Sequence, residues 1–308
     1  MKALKFIITI CLFSLISCKD NVKQEHKPIA QKVTLENTPK KPAFKPSKDF
    51  NDYWYGGKAE ISSYKLEQAR YGEMRKGSAV LVFVTEDFLP DAQVKADNYS
   101  KNNTSVLKLN ATKNFNTGIY PYAIMQSTFY PVTNNKHALK ISASIQEWCG
   151  HVYTQLNNRD NFEIKSHSYF QSEGDQNFNL DKSITENELW TQLRIDPQSL
   201  PIGNISVIPS LEYIRLRHID FKAYNANASL KNNTYSLYYP ELQRTLIINF
   251  NTEFPYEINS WEETISSGYG TNIKTLTTKA TKIKTIKSAY WSKNSNSNKN
   301  LRTELGLQ

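Results

Sequence analysis

The 308-residue chain is 39% hydrophobic and 12% aromatic, enough apolar material for a sizeable core, which excludes a wholly disordered protein. Its 3 cysteines cannot staple a disulfide scaffold, and a mean hydropathy of -0.58 excludes a polytopic membrane protein. The net charge of +9 sits at the ends, in residues 19–48 and 271–303, while residues 49–270 are net acidic; a basic nucleic-acid-binding domain is therefore excluded.

Lys2 and Lys5 precede a short apolar run that stops at Ser17-Cys18. The run is too short to span a bilayer and is shaped like a secretory signal, which predicts a signal peptide over residues 1–17. A secretory signal without lipid, carrying a chance cysteine, is the plainer alternative. Leu15-Ile16-Ser17-Cys18 resembles the bacterial lipobox, which implies acylation of Cys18 and anchoring to a membrane. Two or three acyl chains are needed for a stable anchor, because one alone is marginal. Residues 18–48 follow as a lipidated cysteine and a disordered tether: eight Lys, three acids and Pro28, Pro39, Pro42 and Pro46, with almost no periodic apolar pattern.

The body, 49–308, reads as strand after strand. Residues 59–72 and 78–88 flank Met74-Arg75-Lys76-Gly77, which predicts a hairpin turn. Further strands are expected over 106–112, 123–132, 139–156 and 162–170, then from 205 and over 212–224, 235–239, 245–251, 256–261 and 275–290. Ser183-Ile184-Thr185-Glu186 has the form of a capping box, with Leu189, Trp190 and Leu193 on one face and Pro197 as a stop; one short helix is expected near 183–194. Strands without alternating helices predict an all-β fold of mainly antiparallel sheets, either a large curved sheet or a partly closed barrel. Two similar halves, about 54–172 and 204–291, are suggested by Tyr120-Pro121-Tyr122 and Phe254-Pro255-Tyr256, although proline at a strand start gives the same pattern. The basic residues after 270 are read as a C-terminal tail.

No phosphate-cradling Gly-rich loop, GxSxG elbow, HExxH or paired CxxC is present, so no cofactor is expected. The segment with chemical content is Glu147-Trp148-Cys149-Gly150-His151, which faces residues 162–170 across a loop at 157–161. Period two places Trp148, Val152 and Leu156 on a core face with Phe162, Ile164 and Phe170. The opposite face collects Glu147, Cys149, His151, Tyr153, Lys165, His167 and Tyr169. If residues 157 and 161 pair, His151 lies opposite His167 and Cys149 opposite Tyr169. Cys149, His151 and His167 are then candidate metal ligands, or Cys149 a thiolate activated by His151. A moist outer sheet face with a small, semi-buried cysteine is the simpler alternative.

The segments Trp54-Tyr55-Gly56-Gly57-Lys58-Ala59-Glu60, Leu66-Glu67-Gln68-Ala69-Arg70-Tyr71-Gly72-Glu73 and Gln146-Glu147-Trp148-Cys149-Gly150-His151 resemble an uncharacterised lipoprotein family of flavobacteria (Bacteroidetes). The resemblance covers nearly all of the mature chain. Relatives sometimes carry the label "septum formation inhibitor Maf", but the Ser-Pro-Arg-Arg signature of genuine Maf nucleotide pyrophosphatases is missing here. The resemblance implies provenance and a lipid anchor, and no activity. Together these readings predict an outer-membrane lipoprotein with a non-catalytic binding or envelope-structural role. Polysaccharide, peptide or an envelope protein are its candidate partners. The alternative is a periplasmic or surface enzyme using the Cys149/His151 patch.

Overall fold

A computed structural model describes residues 42–268 and 270–307. The expected signal peptide, Cys18 and the tether as far as residue 41 lie outside the described residues. The packed chain begins within the segment assigned to the tether: the Phe44 N–H donates to the Thr133 carbonyl at 2.6 Å, and the Phe44 ring lies 5.3 Å from that of Phe50. Ser47 then caps α1 (Lys48–Trp54), its hydroxyl accepting from the Phe50 N–H at 3.1 Å.

Strands follow in chain order as β1 (Ala59–Arg70), β2 (Glu73–Leu89), β3 (Val94–Lys95), β4 (Thr104–Thr117), β5 (Tyr120–Pro131), β6 (Lys140–Glu147), β7 (Gly150–Asn158), β8 (Phe162–Ser168), β9 (Gln176–Leu180) and β10 (Ile184–Thr185). After α2 (Glu186–Ile195) come β11 (Gly203–Ile208), α3 (Leu211–Arg217), β12 (Tyr224–Lys231), β13 (Thr234–Tyr239), β14 (Arg244–Phe250), β15 (Ile258–Ser267), β16 (Lys274–Ser288) and α4 (Asn300–Glu304). All sixteen strands belong to one sheet. β3 pairs only with β2; the remaining order is β10-β11-β12-β13-β14-β15-β16-β1-β2-β4-β5-β6-β7-β8-β9. Every pairing is antiparallel except that of β10 with β11. The expected all-β, large curved sheet is therefore what forms, with a few short helices added.

The two ends of this sheet are neighbours in sequence. β9 ends at Leu180 and β10 starts at Ile184. Such a link reaches no further than about 14 Å. The sheet must curl until its edges face each other, yet β9 and β10 share no ladder, so it stays open.

α2 runs inside the curl. All of its residues except Trp190 are buried. It is capped two residues later than its sequence suggests, with Thr185 as N-cap: the Glu188 N–H donates to Thr185 Oγ1 and the Thr185 N–H donates to the Glu188 carboxylate, both at 3.3 Å. The interior face of each strand follows from period two. On β4 it is Leu107, Leu109, Ala111, Lys113 and Phe115; on β5 it is Tyr122, Ile124, Gln126, Thr128 and Tyr130. Among the described residues no helix is long and apolar enough to cross a membrane.

Three expectations are corrected. The β1–β2 turn is Tyr71-Gly72, both at positive φ (54° and 76°), as a two-residue hairpin loop requires. Gly77 lies within β2, where a Cβ would stand 2.3 Å from the Asn114 carbonyl oxygen on β4, so this glycine serves close approach of two strands. Residues 139–156 are two strands, split by a hairpin loop at Trp148-Cys149 between the paired Glu147 and Gly150. Residues 212–224 are not a strand but α3 and a loop, with Ser210 as N-cap accepting from the Tyr213 N–H at 3.2 Å. The strand expected over 275–290 forms as β16, which pairs with both β1 and β15 near the middle of the sheet. Its lysines meet acids of the neighbouring chain, as Lys282 does Glu257 at 2.6 Å. Beyond it, Leu305 covers Ala59, Ile61 and Val84 on the outer face.

Candidate functional site

Between α2, α3 and the inner faces of the curled sheet lies a cavity of about 190 Å³. Three strands build its wall, each carrying one apolar and one charged inward side chain. Leu109 and Lys113 on β4, Leu246 and Arg244 on β14, and Trp261 and Glu263 on β15 each set an apolar side chain deeper and a charged one nearer the Tyr71-Gly72 end. That end is fixed by the hairpin turns themselves, since the Gly72 N–H donates to Ser267 Oγ at 3.1 Å. The floor is Leu81, Leu109, Leu246, Trp190 and Trp261, the two indoles edge-on at 5.3 Å.

Above the floor the charged groups form a belt in which each satisfies another. Lys113 Nζ donates to Glu212 Oε1 of α3 at 2.8 Å, and Gln126 Nε2 to Glu212 Oε2 at 3.0 Å. Arg244 donates from Nη2 to Glu186 Oε1 at 2.7 Å, from Nη1 to Glu186 Oε2, and from Nε to Glu263 Oε1 at 2.6 Å. The Tyr239 hydroxyl donates to Glu186 Oε2 at 2.8 Å, and the guanidinium lies 4.1 Å from the Tyr213 ring centroid. Burial works against the charge on Glu263, but Arg244 and Lys113 outweigh it and hold the carboxyl below the usual range. Burial likewise opposes the charge on Lys113, and Glu212 and Glu263 outweigh it. Glu263 and Lys113 are thus both held in their charged forms within the belt.

Nearer the mouth, Arg70 Nη1 donates to the Leu216 carbonyl at 2.8 Å, tying β1 to the end of α3, and Nη2 donates to the Tyr71 and Tyr122 hydroxyls at 3.1 and 3.2 Å. Arg217 also lines the cavity; among the described residues it makes no salt bridge, and its charge acts on Glu263 at longer range. Gln68, only 3% exposed, lines the wall too; its Nε2 donates to Thr278 Oγ1, while its Oε1 has no partner. Sequence reasoning passed over all of these residues. The signal that finds them is a charge on the inward parity of an apolar strand face: Lys113 follows Leu107, Leu109 and Ala111, and Arg244 precedes Leu246, Ile248 and Phe250.

The Cys149 patch does not assemble. Trp148, expected in the core, is 68% exposed because it occupies the β6–β7 loop rather than a strand. Cys149 is the other loop residue, exposed and free. Its N–H donates to Glu147 Oε2 at 2.7 Å, and hydrogen bonding to Glu147 pushes its thiol pKa up, the opposite of an activated thiolate. The β7–β8 register is shifted by two from expectation, with Asn158 opposite Phe162, so His167 faces Tyr153 instead of His151. His151 pairs with Gln146 on the other side, and His167 Nδ1 lies 3.3 Å from Asp175 Oδ2 in an exposed contact. Among the described residues no three His, Cys, Asp or Glu side chains are arranged to hold a metal ion, and Cys149, His151 and His167 are not brought together.

No protein-family model matches the chain, and no curated protein matches it in sequence. Among solved structures it is similar to a β-barrel-like protein of domain of unknown function DUF1849 from Brucella abortus, with 8% identity and a TM-score of 0.42 over 74% of this chain and 97% of that one. It is also similar to a porin-like protein from Bacteroides uniformis, with 9% identity and a TM-score of 0.21 over 73% of this chain and 95% of that one.

Proposed function

We propose that the chain is a cell-envelope lipoprotein, exported by residues 1–17 and anchored to the outer membrane by lipid on Cys18. Its β body is a non-catalytic binding protein that takes a small ligand into the cavity beneath α3. The cavity is the observation that carries the binding role. Buried ion pairs seldom improve stability over apolar residues of the same volume, so a belt of them around a void is poorly accounted for by folding alone. The unpartnered Oε1 of buried Gln68 adds an acceptor that an occupant, or water carried with it, would satisfy. A volume of about 190 Å³ suits a small molecule rather than a polysaccharide strand or a folded partner. The Leu15-Ile16-Ser17-Cys18 segment supports the anchor.

The binding role is tested by thermal denaturation against a broad panel of small molecules at millimolar concentration, alongside Ala111→Leu, which fills the cavity from β4. A ligand at a hundredfold its Kd stabilises the native state by about 2.7 kcal/mol. That stabilisation should vanish in Ala111→Leu. A panel with no stabilising compound, or an equal response from Ala111→Leu, would overturn the binding role. The anchor is tested separately: Cys18→Ser should abolish palmitate incorporation and move the protein to the soluble fraction.

A further inference from the structure

We infer that the occupant is an amphiphile with one anionic head and an unbranched apolar tail, a medium-chain carboxylate or alkyl phosphate by chemical class; this rests on the cavity being a binding site. The direction from apolar to charged side chains along each of the three strands sets the polarity. On β4, Leu109 is four residues, about 13 Å, from Lys113; on β14 and β15 the step from the charged to the apolar side chain is two residues, about 7 Å, and Leu246 stands opposite Glu263. The side chains of Leu81, Leu109 and Trp261 offer no hydrogen-bonding partner to a charged head, which would be buried there unpaired. A head placed inward is therefore excluded, and an apolar tail is what the floor accepts.

The charge balance of the lining sets the sign of the head. The three carboxylates, Glu186, Glu212 and Glu263, are all taken by Lys113 and Arg244. Two guanidiniums then remain towards the mouth. Arg70 is met by a carbonyl and two phenol hydroxyls, all neutral, and its Nε has no partner. Arg217, at the end of α3, makes no salt bridge among the described residues, although its charge acts at longer range on Glu263, which is already held by Arg244. His218 beside it is committed to Glu173 at 2.5 Å. The mouth is thus left with cationic donors and without a free anion, which favours an anionic head and disfavours a cationic one.

Titration calorimetry of the full chain with decanoate, decyl phosphate, decanol and decyltrimethylammonium, each below its micellar concentration, decides the matter. One or both anionic probes should bind about tenfold more tightly than decanol, and the cationic probe more weakly than decanol. The two anionic probes distinguish a carboxylate head from a phosphate. Arg217→Gln should reduce the preference for the anionic probe over decanol to less than about threefold. Decanol or the cationic probe binding as tightly as both anions, or an unchanged preference in Arg217→Gln, would overturn the inference. If no decyl compound binds while the thermal panel yields a ligand blocked by Ala111→Leu, the amphiphile is wrong and the binding site stands. If neither binds, both fall.

Discussion

Glu186 and Arg194 stand at opposite ends of α2, and each meets an oppositely charged partner on a different half of the sheet. Glu186 is paired with Arg244 of β14, and Arg194 donates from Nη1 and Nη2 to the two oxygens of Glu60 on β1, both at 2.6 Å. The acid lies at the helix N-terminus and the base at its C-terminus, so both also complement the helix dipole. Burial opposes the charge on Glu60, yet Arg194 and the Tyr53 hydroxyl, which donates at 2.5 Å, hold its pKa below the usual carboxylate range. An internal helix is thereby pinned to both halves of the curl.

Breaking one of these pairs should cost far more than removing it whole. Arg194→Met leaves Glu60 buried with one neutral donor and should lose about 3–5 kcal/mol in urea denaturation. Combining it with Glu60→Leu should restore a large part of that loss. Strictly additive losses in the double variant would show that the two residues are not coupled.

Gly77→Ala tests the close approach of β2 and β4. The new methyl would stand 2.3 Å from the Asn114 carbonyl oxygen and 2.8 Å from the Phe115 Cβ, neither of which is the end of a flexible side chain. The strands must part, and a loss of about 1–3 kcal/mol is expected. A neutral result would remove the packing role assigned to this glycine.

On the β6–β7 hairpin the expected order of damage is Leu156 over Trp148. Leu156→Ala should cost about 2–5 kcal/mol, since the side chain is fully buried. Trp148→Ala, at an exposed loop, should fall within about 0.5 kcal/mol of wild type. The reverse order would contradict both the burial of Leu156 and the placement of Trp148 in the exposed loop.

Lys287 sets a pH dependence. Its Nζ donates to the Tyr53 carbonyl at 2.7 Å and lies 3.9 Å from the Tyr53 ring centroid. Burial, aided by Arg194 and Lys58 and opposed by Glu60, pushes its pKa down to about 8. Between that value and the ordinary lysine range, the unfolded chain holds a proton that the folded chain has released. Stability from this group therefore rises with pH across that window. Urea midpoints for wild type should improve relative to Lys287→Met between about pH 8 and pH 10. A constant difference between the two proteins would contradict it.

Alternation of apolar side chains made the β class legible, because period two survives wherever one face is buried. What it could not show was which side of the molecule a polar residue occupies. Glu186-Asn187-Glu188-Leu189-Trp190-Thr191-Gln192-Leu193-Arg194-Ile195 has the composition of a surface helix, yet it runs through the centre because nearly every polar group finds a partner there. The Trp148-Cys149 loop was hidden because neither residue is a turn former, and the strand pattern continues through it. The Tyr71-Gly72 loop was masked by the glycine at 77, whose role is packing. Of the cavity, its charges were visible as lysine and arginine on inward parity, but their assembly across β4, β14 and β15 depends on the curl. That curl is written only in the short link from Leu180 to Ile184.

The pairing of β16 with β1 couples the two ends of the body in time as well as in space. Ala59 meets Ser288 and Glu67 meets Lys279 across one ladder, so β1 keeps a bare edge until residues 274–288 have been made. A nascent chain emerging from a ribosome or a membrane pore holds its first hairpin and must wait for its last strand before the sheet is continuous. Such long-range closure makes for slow folding, and an open strand edge in the interval invites pairing with other chains. Completion of the fold therefore waits for β16: a product stopped short of Lys274 would keep two half-sheets with no seam to join them.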